Sequence, residues 1–174
     1  LSLREHGLAY AATNLTTTAL APDGNHLALI DAFGARLEGD MAGDERDAWT
    51  GARRRLLRFA AALRPFLTET PPRLRGGGRG DMTTLARLGW RLRRLGRTDM
   101  REFMRIVLMN IADLLEEDLS DARLQGVVAF DAVLGTHLGP RSPGSLLTLL
   151  HRIAGDAAGT PAALALPKGG MGAV

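Results

Sequence analysis

The stretch that decides the fold is DMREFMRIVLMNIADLLEE, residues 99–117. Its apolar side chains recur every three or four positions, which places them on one face of an α-helix. Asp99 and Glu102 have the spacing of a capping box at its start. We therefore expect one continuous amphipathic helix packed against a core. The apolar face comprises Met100, Phe103, Met104, Val107, Leu108, Ile111, Leu114 and Leu115.

Two further helices are expected upstream. From Asp44 the same periodicity continues to Pro65, which lacks a backbone N–H and should kink or end the helix, and ETPP at 69–72 favours an end. The second helix begins near Asp81 and carries a leucine edge at positions 85, 88, 92 and 95, with Arg87, Arg91, Arg93 and Arg94 around it. RLRGGGRGD, residues 73–81, lacks the G-x-G-x-x-G spacing and favours a flexible connection between the two helices.

Two helices downstream are apolar on several sides. Ser120 can cap DARLQGVVAFDAVLG, residues 121–135, and Ser142 with Pro143 can begin a helix that includes LLTLLHRIAG, residues 146–155. This much apolar surface indicates cover from a larger body. We expect the following side chains to contribute to a contiguous exposed apolar surface on the isolated chain: Val127, Val128, Phe130, Leu146, Leu147 and Leu150.

A small β element precedes the helices. Residues 8–13 and 26–30 have strand character, and APDG at 21–24 is a turn sequence that would join them as a hairpin. The β-branched residues 16–18 would extend the first strand. ALALPK, residues 163–168, is expected to be extended. The fold class is therefore mostly α with a small antiparallel β element, an α+β arrangement.

The composition argues against metal and thiolate sites and against a nucleic-acid partner. The 174 residues contain no cysteine and four scattered histidines, so neither a thiolate site nor a metal site is expected. Of the 22 basic residues only Lys168 is a lysine, and the net charge is only +3. The high pI of about 10.4 reflects this arginine bias. Aromatic residues make up 5% and no recognised motif is present, which argues against a nucleic-acid partner.

The last third of the sequence carries a family resemblance. LQGVVAFDAVLGTHLGPRSPGSLLTLLHR, residues 124–152, followed by LPKGGMGAV, residues 166–174, resembles the phytoene desaturase-like FAD-dependent oxidoreductases. Within them it is most similar to the pyridine nucleotide-disulphide oxidoreductase domain-containing branch. The shared features are a helix ending D-A-V-x-G, a P-x-x-P-G-S helix start and a Gly-Gly-Met-Gly segment. LREHGLAY, residues 3–10, and the region of Asp31 match more weakly.

The resemblance implies that the chain is an internal fragment of a two-domain flavoprotein. Family members bind FAD through an N-terminal strand, a G-x-G-x-x-G turn and a helix, which this sequence lacks. Residues 1–168 would be the mostly helical substrate-binding domain, and residues 169–174 would begin a segment returning to the FAD-binding domain. The parent would be a desaturase or dehydrogenase-like enzyme acting on a largely apolar small molecule, and the fragment alone would be inactive.

The resemblance also implies a place for the glycine segment. Gly169, Gly170, Met171, Gly172 and Ala173 would border the cavity between flavin and substrate. Related amine oxidases carry glutamine where this sequence has Ala173, so an apolar cavity wall is expected. The alternative is a helix-start turn without ligand contact.

No catalytic residue is nominated, because the flavin carries the chemistry. Asp131 stands among apolar neighbours, where a hydrogen bond to a cap or an arginine is the favoured interpretation and a functional carboxylate is the alternative.

A different class of function stays open. The arginine-flanked helix at 85–95 is compatible with contact to an anionic membrane surface, or with a solvated surface helix packed by its leucine edge. The alternative function is therefore a non-catalytic helical interaction or membrane-surface module. A cytoplasmic or peripheral membrane location is expected in either case, with the remainder of the parent and a lipophilic small molecule as partners of the enzyme.

Overall fold

The computed structural model describes residues 3–73 and 77–170. Helices dominate, accompanied by small antiparallel sheets, which confirms the predicted fold class. The helices are α1 Gly43–Leu63, α2 Arg79–Arg94, α3 Arg97–Ile106, α4 Ile111–Asp118, α5 Ala122–Val133 and α6 Ser145–Ala154, with 3₁₀ turns at Leu3–His6 and Arg64–Thr68. The strands are β1 Tyr10–Thr13, β2 Thr17–Ala19, β3 Leu27–Ile30, β4 Arg36–Glu38, β5 Asp156–Ala157, β6 Thr160–Pro161 and β7 Ala165–Pro167.

Helix α1 forms the centre of the core. Its apolar stripe buries Trp49, Leu56 and Phe59, and the helix ends just before Pro65, as predicted. It packs against α6, and α6 packs in turn against α5. Phe59 meets Phe103 of α3 edge to face, with 5.5 Å between ring centroids. The helices thus enclose one apolar core.

The predicted hairpin forms with its second strand, β3, within residues 26–30 as expected, but β2 takes the place of the predicted first strand, residues 8–13. The turn at 21–24 joins β2 to β3, and β4 completes a three-stranded antiparallel sheet in the order β2-β3-β4. Residues 16–18 do not extend the first strand, because Asn14 adopts a left-handed conformation with φ of 61° and separates β1 from β2. Instead β1 pairs with β7, close to the other end of the described chain.

The prediction of one continuous helix over 99–117 was wrong. The chain leaves the helical conformation after Ile106 and resumes it at Ile111, where Asn110 accepts the N–H of Asp113 at 2.8 Å as an N-cap. The start of α6 stabilises the break: Ser145 Oγ accepts the N–H of Ile111 at 2.9 Å. Leu108 is consequently 72% exposed rather than on a buried stripe.

Helix starts also differ from the expected caps. Gly96 precedes α3, so Asp99 and Glu102 lie inside the helix and form ion pairs with arginines instead of a capping box. The N-cap of α5 is Asp121 rather than Ser120. Helix α6 begins two residues after Pro143, with Gly144 at its N-cap.

The expected bare apolar surface on α5 and α6 is largely absent. Four of its six side chains, Val127, Val128, Leu146 and Leu150, are no more than 5% exposed, because α1 and the sheets cover them. Only Phe130, at 53%, and Leu147, at 39%, reach the solvent. The chain therefore closes most of its own core, and this physical argument for an internal fragment loses most of its support.

Candidate functional site

An apolar groove runs between the β2–β3 hairpin and α5, with a volume of about 560 Å³. Residues 17–22 form one wall, while Val127 and Phe130 of α5 contribute to the other. Leu20 at its edge is 78% exposed. Gly126 lies in the lining, and a Cβ atom added there would meet nothing within 4 Å. The groove is therefore open above α5 and suited to an apolar guest.

Arg123 positions the groove by joining the start of α5 to the sheet. Its guanidinium donates to the carbonyl oxygens of Asn25, at 2.9 Å, and Asp40, at 2.8 Å. It also pairs with Asp121, and this contact, with the N–H groups of Leu124 and Arg123, holds the pKa of Asp121 below its ordinary value. The hairpin is thus fixed alongside α5 by charge-assisted hydrogen bonds.

A second cavity of about 740 Å³ opens beside α5 and α6. The carboxylate of Asp131 and the guanidinium of Arg152 form a buried ion pair in its wall. Asp131 is only 8% exposed. Its pairing with an arginine confirms the interpretation favoured from the sequence. His151, in the same wall, has an exposed side chain.

Arg152 is an unusual cation, because its side chain is only 17% exposed. Burial lowers its pKa to about 10. Its guanidinium lies 5.7 Å from the ring centroid of Phe33, and Phe33 contacts Trp49 edge to face at 5.4 Å. The Nε atom of Arg152 is buried without a hydrogen-bond partner. A cation–π contact therefore replaces part of its lost hydration.

Backbone strain is concentrated on the other side of this ion pair. Asp31, Phe33 and Ala162 line a narrow cleft with Asp131 and Arg152, and all three have positive φ, between 51° and 64°. Residues held in this conformation cost about 1–3 kcal/mol each and tend to cluster at functional sites. Asp31 is fixed by an Asn14 side chain that donates to it at 3.1 Å. The ion pair thus connects a strained cleft with an open cavity.

The predicted glycine site is only partly described. Gly169 and Gly170 form a turn after β7, with φ of 83° and 76°, and Gly170 donates its N–H to Pro167 at 3.2 Å. Neither glycine lines the groove or the cavity above. Met171, Gly172 and Ala173 lie outside the described residues. A position at a flavin–substrate cavity stays a prediction for this segment.

The glycine-rich start of α2 does not fit the pyrophosphate of a dinucleotide. The glycine-rich start of α2 is the natural place to test, because helix N-termini attract anions. There Asp81 already accepts the N–H of Gly78 at 2.9 Å and the N–H of Arg73 at 3.1 Å. Its carboxylate would repel a phosphate. Residues 3–73 and 77–170 also contain neither a group of side chains that could hold a metal ion nor a helix long and apolar enough to cross a membrane.

Comparisons with known proteins agree with the family resemblance at a coarse level. The chain is 29% identical over 123 residues to the pyridine nucleotide-disulfide oxidoreductase domain-containing protein 2 of Mus musculus, a match that covers 67% of this chain and 21% of the relative. The Rattus norvegicus protein of the same name matches to the same extent. The chain thus spans about a fifth of these relatives. These names indicate an oxidoreductase-type domain and do not separate out a phytoene desaturase-like branch.

No family model and no solved structure matches the chain.

The groove was not anticipated from the sequence, although one signal for it was present. Gly126 is a glycine inside a largely apolar helix, where glycine costs about 1 kcal/mol relative to alanine. Its partner across the groove, β2, could be placed only once the sheet was known.

Proposed function

We propose that this chain is the substrate-binding part of an FAD-dependent oxidoreductase that desaturates or oxidises a largely apolar small molecule. The observation that carries the proposal is the apolar groove between β2 and α5. The resemblance of residues 124–174 and the names of the two relatives support the oxidoreductase class. The phytoene desaturase-like branch is part of the proposal and rests on the resemblance alone.

The groove would bind the apolar body of the substrate. Side chains of Leu20, Val127 and Phe130 would take apolar surface from water, at about 25 cal/mol for each Å². Because Arg123 already holds the groove in shape, little of this binding free energy is offset by ordering of the groove. The chain's own contribution is thus to bind the substrate, orient it and exclude water from it.

FAD, when bound to the parent, supplies the acceptance of hydride from the substrate. Because Asp81 fills the glycine-rich helix start, we expect the pyrophosphate to be held by the FAD-binding domain of the parent protein rather than at that helix. Residues 1–168 would then be the substrate domain, and residues 169–174 a segment returning to the FAD-binding domain. Gly169–Ala173 as a cavity border belongs to the same proposal.

The first experiment expresses the complete reading frame that encodes this chain and measures flavin absorbance after purification. We expect one FAD per polypeptide, and reduction of that flavin by an apolar substrate found by screening lipophilic amines, alcohols and alkenes. A complete protein that carries no flavin would overturn the proposal.

The second experiment fills the groove. Gly126→Leu places a side chain in the groove, and a helix accepts leucine there without a steric clash. We expect a rise in KM of about tenfold, because the lost contact area is worth about 1.4 kcal/mol or more. Gly51→Leu is the matched control, since Gly51 is another helical glycine with open space around it, on α1 and outside the groove. Equal kinetics for the two variants would place the substrate elsewhere.

A further inference from the structure

A cationic cleft of about 430 Å³ lies between α1 and α2, on elements separate from the groove and the ion-pair cavity. Arg58 of α1 faces Arg87, Arg91 and Arg94 of α2 across it. Trp90 forms part of the wall and is 64% exposed. The small side chains of α1 at the base of the cleft, Ala61 and Ala62, leave it open.

The arginines converge because of helical spacing. Positions 87, 91 and 94 fall on one face of α2, at intervals of four and three residues. Leu92 and Leu95 pack against the core and turn this face toward α1. The sequence showed that α2 is rich in arginine, but the fourth guanidinium comes from α1 and is brought there by packing.

The charges in the cleft are only half compensated. Arg58 pairs with Asp99 at 3.0 Å, and Arg87 pairs with Glu69 at 3.0 Å. Within the described part of the chain, no carboxylate lies within ion-pairing distance of Arg91 or Arg94, and no acidic residue lines the cleft. Two positive charges one helical turn apart therefore face the cleft without a counter-charge.

We propose that this cleft binds the phosphate group of a phosphate monoester or of a phospholipid head group, with the adjoining part of the ligand lying on Trp90. Guanidinium groups match phosphate oxygens in paired hydrogen bonds. A monoester carries a charge of about −1.5 to −2 near neutral pH, which balances the charges of Arg91 and Arg94. The exposed indole offers a flat apolar surface to the rest of the ligand.

The site does not depend on the proposed flavoprotein function. It also differs from an anion site at a helix N-terminus, because the binding groups are side chains near the C-terminal half of α2. Exposed Met82, at 71%, lies on the same helix as Trp90, so a phospholipid in a bilayer is one of the two sources to test.

Tryptophan fluorescence provides a reporter within the cleft. The chain has two tryptophans, and Trp49 is only 2% exposed, so a ligand in the cleft acts on the emission of Trp90. The purified protein is titrated with inorganic phosphate and with phenyl phosphate. We expect both to change the emission, and phenyl phosphate to bind several-fold more tightly because its ring stacks on the indole.

The test variant is Arg91→Gln with Arg94→Gln, and the matched control is Arg93→Gln with Arg97→Gln. Both remove two positive charges from the same region, but Arg93 and Arg97 do not line the cleft. We expect the test variant to bind phenyl phosphate at least about tenfold more weakly, because two charge-assisted hydrogen bonds are lost. The control should bind it as tightly as the unsubstituted protein does. Equal weakening in both variants would reduce the effect to overall charge and overturn the proposal.

Sedimentation with lipid vesicles separates the two sources. Vesicles of phosphatidylcholine are compared with vesicles that also contain phosphatidylglycerol. Binding to the anionic vesicles that is lost in the test variant and kept in the control, without a response to phenyl phosphate, assigns the cleft to a lipid head group. A response to phenyl phosphate without vesicle binding assigns it to a soluble ester. Absence of both responses would overturn the proposal.

Discussion

Glu45, in the first turn of α1, holds Ser120 at the entrance to α5. Its carboxylate accepts the backbone N–H of Ser120 at 2.9 Å and its hydroxyl at 2.6 Å, and also the N–H of Asp121 at 2.9 Å. The side chain is only 7% exposed. One acidic residue thus satisfies the backbone at the start of α5 and fixes that helix to α1.

Replacing this carboxylate should destabilise the protein. In Glu45→Gln the amide has a single acceptor oxygen, so some of the donors from residues 120 and 121 lose their partner. We expect the free energy of unfolding to fall by about 1–3 kcal/mol in urea denaturation. Glu38→Gln is the control, because Glu38 is exposed and makes only a 3.7 Å surface pair with Arg36. Equal losses in both variants would contradict this role for Glu45.

The buried pair of Asp131 and Arg152 should behave as a unit. Asp131→Asn or Arg152→Met leaves the other charge buried and unpaired, which costs about 3–5 kcal/mol. The double variant should lose less than the sum of the single ones, and a double-mutant cycle measures the difference. Glu117→Gln, in an exposed pair with Arg105, should cost less than about 1 kcal/mol. Additive losses at 131 and 152 would refute the coupling.

The stability of the protein should depend on Asp121 in acid. The hydrogen bond from Arg123 lowers its pKa in the folded state below the ordinary value of 3.8. Its contribution to stability is therefore fully present above that value and is lost as the pH falls through the lowered pKa. Glu102, whose pKa is lowered by Arg105, acts in the same direction.

Asp121→Asn keeps an N-cap side chain but removes the charge. As the pH falls from about 5 to about 2, we expect the free energy of unfolding of this variant to decrease less steeply than that of the unsubstituted protein. Arg123→Gln should flatten the curve in the same way, since it removes the donor. An Asp121→Asn curve parallel to that of the parent would show that the ion pair contributes nothing.

Two glycines should respond oppositely to alanine. Gly39 has φ of 132°, and a Cβ atom there would lie 2.5 Å from the carbonyl oxygen of His26, so Gly39→Ala should cost about 1–3 kcal/mol. Gly51, inside α1, has open space, and Gly51→Ala should stabilise by about 0.5–1 kcal/mol. Thermal unfolding of both variants measures the two signs. A tolerated alanine at 39 would mean that the β4 end of the sheet is free to shift.

Sequence patterns within a single element correctly predicted the features that depend on neighbouring residues alone. The stripe of α1 and its end at Pro65 follow from periodicity and from the missing N–H of proline. The break between α3 and α4 was missed, because the apolar periodicity runs through it. The break depends on Ser145, which is distant in sequence, although Asn110 followed by Asp113 was a usable N-cap signal.

Non-local pairing accounts for the remaining differences. The partner of β1 is β7, at the other end of the described chain, and no short pattern encodes that choice. The same holds for the two candidate binding regions. Gly126 and the arginines of α2 are visible in the sequence, but the walls opposite them, β2 and Arg58, are supplied by packing.

The pairing of β1 with β7 also has a mechanical meaning. Lys168 donates its N–H to Ala9 at 2.8 Å, so the chain enters and leaves the helical body side by side. A force that pulls the outer ends of β1 and β7 apart loads the hydrogen bonds between the two strands one at a time. The β1–β7 ladder would therefore open at low force, while the helical core, which such tension reaches last, stays folded.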